Sequence, residues 1–270
     1  MPYRIDLPNP PDRALDVLIQ FGAIDVESVD GTLAAILPDA VSPDDVAREL
    51  GVSRMHVSPA IGRDDDSVWT LSTRPVRIGS LTIVPAGIST RRGGPSGPPG
   101  ALIIADRGAF GTGLHPTTAL CLEAIERAAT AGRIDRMLDV GTGSGILAIG
   151  AVRCGVRRAV GLDLDAAALT AAAENARLNE LADRVSFARG GPDAVRGAWP
   201  LVVANIRAAE LMEMAAVLAR RLASGAWLVL SGIPAAVAPD VEQTYRRLGM
   251  MRVALDERGG WTALTLRPSW

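Results

Sequence analysis

The first sixty residues alternate between short apolar stretches with a two-residue period and stretches with helical spacing. Residues 11–21 place Ala14, Leu15 and Leu18 on one helix face. Asp30-Gly31 separates two apolar stretches, as is typical of a tight hairpin. The pattern predicts β-α-β-β-α-β, with strands at 3–7, 24–29, 32–37 and 55–57 and helices at 11–21 and 43–50. We therefore expect a small α+β domain of the ferredoxin-like type over residues 1–62.

A second pattern begins near residue 106, where longer helical stretches alternate with apolar strands. The predicted helices are 115–131, 146–154, 166–179, 208–223 and 234–248, and the predicted strands are 136–140, 159–162, 185–188, 201–204, 226–231, 250–256 and 261–266. The last two strands flank Glu257–Gly260, a hairpin signal. Residues 106–270 are thus predicted to form an α/β domain with a doubly wound, seven-stranded sheet whose last strand is antiparallel.

Residues 63–105 have weaker patterning and are predicted to connect the two domains. Short strands are expected at 68–71, 77–84 and 101–105. Residues 89–100 are rich in Gly, Pro and Ser, which predicts a flexible loop.

Composition excludes several kinds of chemistry. The chain has 270 residues, a net charge of −2 and no lysine, so all 28 of its basic residues are arginine. A Walker A lysine and a lysine Schiff base are therefore excluded. Two cysteines, Cys121 and Cys154, and two histidines, His56 and His115, lack the spacing of a metal motif, so we expect no metal. Without a membrane segment or signal-peptide pattern, a cytoplasmic enzyme is expected. The net charge of −2 predicts no requirement for nucleic acid. We also expect a monomer.

The strongest chemical signal is the run Asp139-Val-Gly-Thr-Gly-Ser-Gly145 between a predicted strand and a predicted helix. Glycines at 141, 143 and 145 allow a sharp turn and let a ligand approach the backbone. Asp163 lies 22 residues after Gly141, at the end of the next predicted strand, where a carboxylate can accept both hydroxyls of a ribose. Together they predict a nucleoside-binding βαβ unit rather than a structural turn with a surface carboxylate.

The glycine spacing also bears on which nucleoside binds. A dinucleotide site has the pattern G-x-G-x-x-G, but its sixth position here is Ile146. The run G-x-G-x-G, with an acid two residues before its first glycine, resembles motif I of the class I methyltransferases, which bind S-adenosylmethionine (SAM). Gly141, Gly143 and Asp139 are accordingly expected to bind this cofactor.

Two further segments carry candidate site residues. Asn205 ends the predicted strand 201–204, at the sheet edge where open α/β folds bind ligands. Its amide oxygen could face an amine, or the residue could cap the helix that follows. Residues 109–118, AFGTGLHPTT, form a predicted loop and helix start beside the cofactor cleft. His115 in this segment is interpreted as a loop or capping residue, because no acid partner is evident in the sequence.

Three blocks together resemble one family, PrmA, the methyltransferases of ribosomal protein L11. The blocks are Phe110–Thr118, Leu138–Ile149, and Val203–Ile206 with Leu230–Ile233, and the resemblance covers about residues 66–267. It implies contacts of SAM with Thr118, Gly141, Asp163 and Asn205. It also implies methylation of amino groups on a large-subunit ribosomal protein of the stalk base, with a ferredoxin-like domain that recognises this substrate.

The resemblance weakens in three places, and these bear on the substrate. The N-terminal domain matches the family in its order of elements but hardly in residues, residues 89–100 resemble an insertion, and Asn205-Ile206 is followed by Arg207-Ala-Ala-Glu210. We expect Asn205 and Phe110 to be catalytic: Asn205 holds the amine, and Phe110 belongs to the segment, up to His115, that closes over SAM. The alternatives are a paralogue acting on another protein or a small amine, a SAM-binding protein without activity, and a nicotinamide dehydrogenase.

Overall fold

The computed structural model describes residues 1–29, 31–53, 55–64, 68–71, 75–86, 100–105 and 111–270. Its contacts divide the chain into two compact units, Met1–Thr73 and Arg74–Trp270. The predicted connecting region, 63–105, is thus shared between the two units, and the predicted boundaries at 62 and 105 remain sequence-based predictions. Within the described residues, no helix combines the length and apolarity needed to cross a membrane.

The N-terminal unit has the predicted β-α-β-β-α-β order. Its elements are β1 (Tyr3–Pro8), α1 (Ala14–Gln20), β2 (Asp25–Val29), β3 (Thr32–Leu37), α2 (Pro43–Leu50) and β4 (His56–Pro59). The strands form an antiparallel sheet in the order β2-β3-β1-β4, as the ferredoxin-like prediction requires. Alternate residues of β1 and β3, such as Ile5 and Leu37, pack against Leu18 of α1 and Val46 of α2. Two short strands, β5 (Gly62–Arg63) and β6 (Val68–Trp69), follow β4.

The second unit begins with a small sheet of three strands. These are β7 (Val76–Ile78), β8 (Leu81–Pro85) and β9 (Leu102–Ile104), with β7 antiparallel and β9 parallel to β8. The single strand predicted at 77–84 is wrong, because the chain turns at Gly79-Ser80 and divides it into two strands. Leu81, Ile83 and Leu102 are buried in the core of this unit, so the small sheet is part of its hydrophobic interior.

The central sheet of the second unit has seven strands in the order β12-β11-β10-β13-β14-β16-β15. Its strands are β10 (Arg136–Val140), β11 (Arg158–Asp163), β12 (Val185–Arg189), β13 (Trp199–Asn205), β14 (Leu222–Pro234), β15 (Met250–Arg258) and β16 (Trp261–Pro268). The first five are parallel, and β16 is antiparallel to both β14 and β15. The doubly wound sheet with an antiparallel last strand is therefore confirmed.

Helices cover both faces of this sheet. They are α3 (Pro116–Ala131), α4 (Ile146–Arg153), α5 (Ala166–Leu178), α6 (Ala208–Glu213), α7 (Ala215–Arg220) and α8 (Ala238–Arg246), the last preceded by a 3-10 turn at Ala235–Val237. On β13, Leu201 and Val203 face the core that contains α3 and α4, whereas Val202 and Ala204 face the core that contains α6 and α8. Burial on both faces explains why the strand is a continuous apolar run rather than an alternating one.

Two predicted helices of the second unit differ most from those in the structure. The helix expected at 208–223 is divided at Met214, and its last residues, Leu222 and Ala223, begin β14 instead. The helix expected at 234–248 begins regularly only at Ala238, because β14 continues to Pro234 to pair with Trp261 of β16. Pairing between strands distant in sequence, which local patterns do not report, sets both boundaries.

Candidate active site

The candidate site lies at the carboxyl end of the central sheet, where the strand order reverses. After β10 the chain builds β11 and β12 on one side, and then β13 and β14 on the other. A crevice at such a reversal is the usual ligand site of an open α/β sheet. Asp139, Asp163 and Asn205 lie at the carboxyl ends of β10, β11 and β13. The topology thus brings together three of the residues that were predicted separately.

The glycine-rich turn after β10 is closed by backbone hydrogen bonds to the neighbouring strand. The amides of Gly141 and Thr142 donate to the carbonyl of Leu162 at 2.8 and 2.9 Å. Gly141 has a φ of +72°, and a Cβ there would lie 2.3 Å from Cγ2 of Ile206. The turn therefore requires glycine at 141 for its backbone conformation and for close packing against the chain after β13.

Asp163 connects the end of β11 to this turn. Its Oδ2 accepts a hydrogen bond from the Gly143 amide at 2.9 Å, and its Oδ1 accepts one from the Asp165 amide at 3.0 Å. A carboxylate offers about four acceptor positions, so each oxygen can still accept a further hydrogen bond. The half-buried carboxylate can thus fix the turn and accept from a ligand's hydroxyls.

Asp139 is completely buried at the end of β10. Its Oδ2 accepts a hydrogen bond from the Thr142 hydroxyl at 2.6 Å, and its Oδ1 has no hydrogen-bond partner among the described residues. Burial is the main reason that the pKa of Asp139 rises from 3.8 to about 7, and the nearby Asp163 carboxylate adds to the rise. A cation placed beside this group would favour its ionised form.

Asn205 ends β13 opposite Ser231 of β14, and the amide of Ile206 donates to the Ser231 carbonyl at 3.2 Å. The Oδ1 of Asn205 is buried and has no hydrogen-bond partner within the described chain. The alternative role, capping the helix that follows, is not what the structure shows. Arg207 occupies the N-cap of α6, and no side chain caps that helix. The amide oxygen therefore remains available to a ligand.

The segment that leads into α3 contributes a third unpaired oxygen. Thr118 is fully buried in the first turn of α3, and its Oγ1 has no hydrogen-bond partner in the described part of the chain. His115 caps this helix, with its Nδ1 2.7 Å from Oγ1 of Thr117, which agrees with the capping interpretation. Phe110, predicted to be catalytic, lies outside the described residues.

These features test whether the residues fit SAM. Buried polar atoms are normally paired, because an unmade hydrogen bond costs about 1–3 kcal/mol. Unpaired oxygens belong to Thr118 on α3, Asp139 on β10 and Asn205 on β13, and Asp163 adds a carboxylate that accepts from the Gly143 amide of the glycine-rich turn. SAM presents ribose hydroxyls, an ammonium group and a sulfonium. The acceptors and the carboxylates suit those groups.

Within the described chain, the two cysteine thiols do not indicate a second chemistry. The Cys121 thiol lies against Ser231, and burial raises its pKa, so it remains protonated. Burial also raises the pKa of Cys154, to about 11. Among the described residues, no three His, Cys, Asp or Glu side chains are grouped as metal ligands.

Three polar residues of the site region were not identified from the sequence. Thr142 and Ser144 lie inside the glycine-rich motif, so the motif itself was a signal for them. Asn175 lies in the middle of α5 and donates a hydrogen bond to the Ser144 carbonyl at 2.9 Å. No sequence pattern indicated Asn175, because its partners are 31 and 70 residues away.

The chain is similar to known proteins of one family. Residues 42–268 match the family described as ribosomal protein L11 methyltransferase (PrmA). A protein of that name from Geobacter sulfurreducens is 44% identical over 210 residues, covering 76% of this chain and 67% of its own length. Another, from Chromohalobacter salexigens, is 40% identical over 206 residues, covering 75% and 66%. The crystal structure of a ribosomal protein L11 methylase from Lactobacillus delbrueckii subsp. bulgaricus matches with a TM-score of 0.64 and 31% identity, covering 73% of this chain and 100% of that one.

Proposed function

The chain belongs to the family of ribosomal protein L11 methyltransferases, and we propose that it transfers methyl groups from SAM to amino groups of that ribosomal protein. Family membership confirms the resemblance, the enzyme class and the cofactor expected from the sequence. The nicotinamide dehydrogenase alternative is therefore wrong. The roles of individual residues, the substrate and its recognition are proposals.

One observation supports the proposed role of Asn205 toward the substrate amine. Asn205 places a buried, unpaired amide oxygen at the carboxyl end of β13, beside the turn at Gly141. When bound, SAM supplies a methyl group activated by its positively charged sulfur. A neutral amide oxygen can accept a hydrogen bond from the incoming amine without carrying the charge that would hold the amine in its protonated, unreactive form. Asn205 is thus proposed to orient the amine.

The other site residues are proposed to hold the cofactor. Asp163 would accept from the ribose hydroxyls while it fixes the Gly143 amide. Thr118 and Asp139 would direct their unpaired oxygens to the remaining polar groups of SAM. Orientation of this kind can contribute about 7–11 kcal/mol to a rate enhancement, so no covalent nucleophile is required.

The N-terminal unit is proposed to recognise the ribosomal protein. Its support is that its β-α-β-β-α-β fold has its own sheet and core, whereas the proposed cofactor-binding residues all belong to the second unit. We also propose that the enzyme acts as a monomer in the cytoplasm, where its ribosomal substrate is made. Sedimentation of the purified protein, alone and with the substrate, would test whether the enzyme is a monomer.

Transfer of a labelled methyl group tests the substrate. The purified protein is offered labelled SAM together with purified ribosomal protein L11 in one reaction and a bacterial lysate in another. Label on L11 in both supports the proposal. Label on a different protein would retain the methyltransferase and reject L11 as its target.

The variant Asn205→Ala tests the role of the amide. We expect kcat for L11 to fall roughly 100-fold, because a misplaced reactant costs about that much. The free energy of unfolding should stay the same or rise, since the variant removes a buried polar atom that has no partner in the described chain. Unchanged kcat would contradict the proposal, and a large loss of stability would show that Asn205 supports the fold instead.

A further inference from the structure

Two buried polar side chains connect the glycine-rich turn to the elements on either side of residues 106–110. The Ser144 hydroxyl donates to the Gly111 carbonyl at 2.6 Å. Asn175 of α5 donates from Nδ2 to the Ser144 carbonyl at 2.9 Å, and its Oδ1 accepts from the Ala105 amide at 2.8 Å. The result is one continuous path from Ala105 through Asn175 and Ser144 to Gly111.

The chemistry of this path leaves little freedom. Asn175 is completely buried and Ser144 is 2% exposed, so neither can exchange its protein partner for bulk water without an opening of the structure. One partner of the Asn175 amide is an N–H and the other is a carbonyl, so a single orientation of the amide satisfies both. Gly111 also packs closely, since a Cβ there would lie 2.7 Å from the Ser144 hydroxyl oxygen.

We propose that Ser144 and Asn175 are positioning residues for methyl transfer, which rests on the proposed function above. They hold the end of β9 and the start of the Gly111–His115 segment at fixed distances from the cofactor turn. That segment leads directly into α3 and Thr118, and the turn follows Asp139. The two side chains therefore fix the relative position of two groups of cofactor-binding residues without themselves contacting the reacting atoms.

Asn179, the C-cap of the same helix, provides a matched control. It is also an asparagine, is 2% exposed and joins α5 to β9. Its Oδ1 accepts from the Ile103 amide at 2.8 Å, and its Nδ2 donates to the Ile103 carbonyl at 2.6 Å and to the Asn175 carbonyl at 2.8 Å. None of these bonds reaches the glycine-rich turn or Gly111. Substitution of Asn179 should therefore weaken the packing of β9 without loosening the turn.

The test compares Ser144→Ala, Asn175→Ala and Asn179→Ala in the full-length protein. For each variant, the melting temperature, the SAM affinity by calorimetry, and kcat and KM for L11 are measured. Ser144→Ala and Asn175→Ala should each lower kcat about 10- to 100-fold, with a smaller change in the KM for L11. Asn179→Ala should lower the melting temperature at least as much as Asn175→Ala, yet leave kcat within about threefold. If Asn179→Ala lowers kcat as much as Asn175→Ala does, Ser144 and Asn175 have only a structural role.

A double variant tests whether Ser144 and Asn175 act together or whether each substitution lowers kcat independently. If Ser144 and Asn175 act as one path, Ser144→Ala should reduce kcat little further on the Asn175→Ala background, but fully on the Asn179→Ala background. Losses that multiply in the Ser144→Ala, Asn175→Ala protein would overturn the proposal. Should Asn175→Ala fail to fold, Asn175→Leu replaces it, because that variant keeps a side chain of similar volume and loses both hydrogen bonds.

The same experiment distinguishes failure of the positioning proposal from failure of the proposed function. A wild-type protein that binds SAM but does not methylate L11 would reject the substrate. The path would then be judged on SAM affinity, which Ser144→Ala and Asn175→Ala should weaken at least fivefold more than Asn179→Ala. A wild-type protein that does not bind SAM would overturn both proposals.

Discussion

The two ends of the central sheet differ in what their polar side chains do. At the carboxyl end, Asp139 and Asn205 each carry a buried oxygen that has no hydrogen-bond partner among the described residues. At the amino end, the arginines donate to carbonyls of neighbouring loops. Arg136 donates to Ala198 at 2.7 Å and lies 5.2 Å from the ring of Trp199, and Arg184 donates to the carbonyls of Val156 and Arg157.

A cavity does not by itself identify the functional end of the sheet. A cavity of about 640 Å³ lies at the amino end, lined by Arg136, Arg157, Arg158 and Trp199, among others. Parallel strands direct their following loops to the carboxyl end, where the glycine-rich turn and the family motifs also lie. Unpaired buried acceptors at the carboxyl ends of parallel strands, together with the glycine-rich turn, identify the carboxyl end as the site.

The largest expected effect that separates the two ends is on the pH dependence of stability. Burial raises the pKa of Asp139 from 3.8 to about 7. Between these values the unfolded chain releases a proton that the folded chain keeps, so the contribution of Asp139 is full below about pH 4 and is lost as pH rises through 7. At 1.36 kcal/mol per pKa unit, this loss is about 4 kcal/mol.

Denaturation of wild type and Asp139→Asn between pH 4 and 8, without cofactor, measures this effect. The stability of the variant relative to wild type should increase as pH rises to about 7. Asp135→Asn, at the exposed amino end of the sheet, is the control for removing a carboxylate that is not buried. Parallel curves of stability against pH for Asp139→Asn and wild type would show that Asp139 does not contribute to the pH dependence of stability.

The next largest effect is expected for Asp163→Ala. This change removes the acceptor for the Gly143 amide and the proposed acceptor for the ribose, each a hydrogen bond to a charged group. SAM affinity should fall about 100-fold, which corresponds to about 2.7 kcal/mol, as measured by calorimetry. Asp135→Ala at the amino end should change affinity less than twofold. Equal affinities of wild type and Asp163→Ala would remove Asp163 from the site.

A pair of glycines compares the two ends at the level of packing. Gly232, near the carboxyl end of β14, has a φ of +81°, and a Cβ there would lie 2.2 Å from the Ile206 carbonyl oxygen. Gly155, on the approach to the amino end of β11, has a φ of +104° and open space where its Cβ would be. Both alanine variants incur the cost of a left-handed backbone, about 1–2 kcal/mol. Gly232→Ala should lose about 1–3 kcal/mol more from overpacking.

Activity provides the second measurement on this pair. Ile206 follows Asn205 directly, so a shift of Ile206 should displace the amide oxygen and lower kcat in Gly232→Ala. Gly155→Ala should keep its kcat at temperatures where it is folded. A normal kcat in folded Gly232→Ala would mean that the position of Asn205 tolerates movement.

The smallest effect is expected for Trp199→Phe. Trp199 also has a buried atom, Nε1, with no partner among the described residues, but it lies at the amino end. Phenylalanine keeps an aromatic ring beside Arg136 and removes the unpaired N–H, so stability should change by less than about 1 kcal/mol. Methyl transfer should stay within twofold of wild type. A large loss of activity would show that the amino end has a function after all.

Much of the fold could be predicted because periodicity reports burial. The five parallel strands of the central sheet are apolar runs, and β16 follows a clear hairpin signal, so their existence and order were predictable. The divisions at Met214 and at Gly79-Ser80 were not predicted, since apolar spacing continues across both. The extended length of β14 depends on pairing with β13 and β16, which lie far from it in sequence.

For the site, the sequence supplied residues and the structure supplied their neighbours. Asp163 and Gly141 were predicted together because their spacing is characteristic of a βαβ unit. The spacing did not show that Asp163 holds the Gly143 amide, or that Asn175 joins Ala105 to Ser144. Phe110 lies outside the described residues, so its role remains a prediction.

The sequence by itself determined the family, the cofactor class and the type of sheet, because short motifs with fixed spacing encode a turn and a strand order. Only the tertiary structure decided which polar atoms are unpaired, that Asn205 does not cap α6, and that burial raises the pKa of Asp139 to about 7. Burial and hydrogen-bond pairing depend on the distances between residues that are remote in sequence. Local patterns contain no information about those distances.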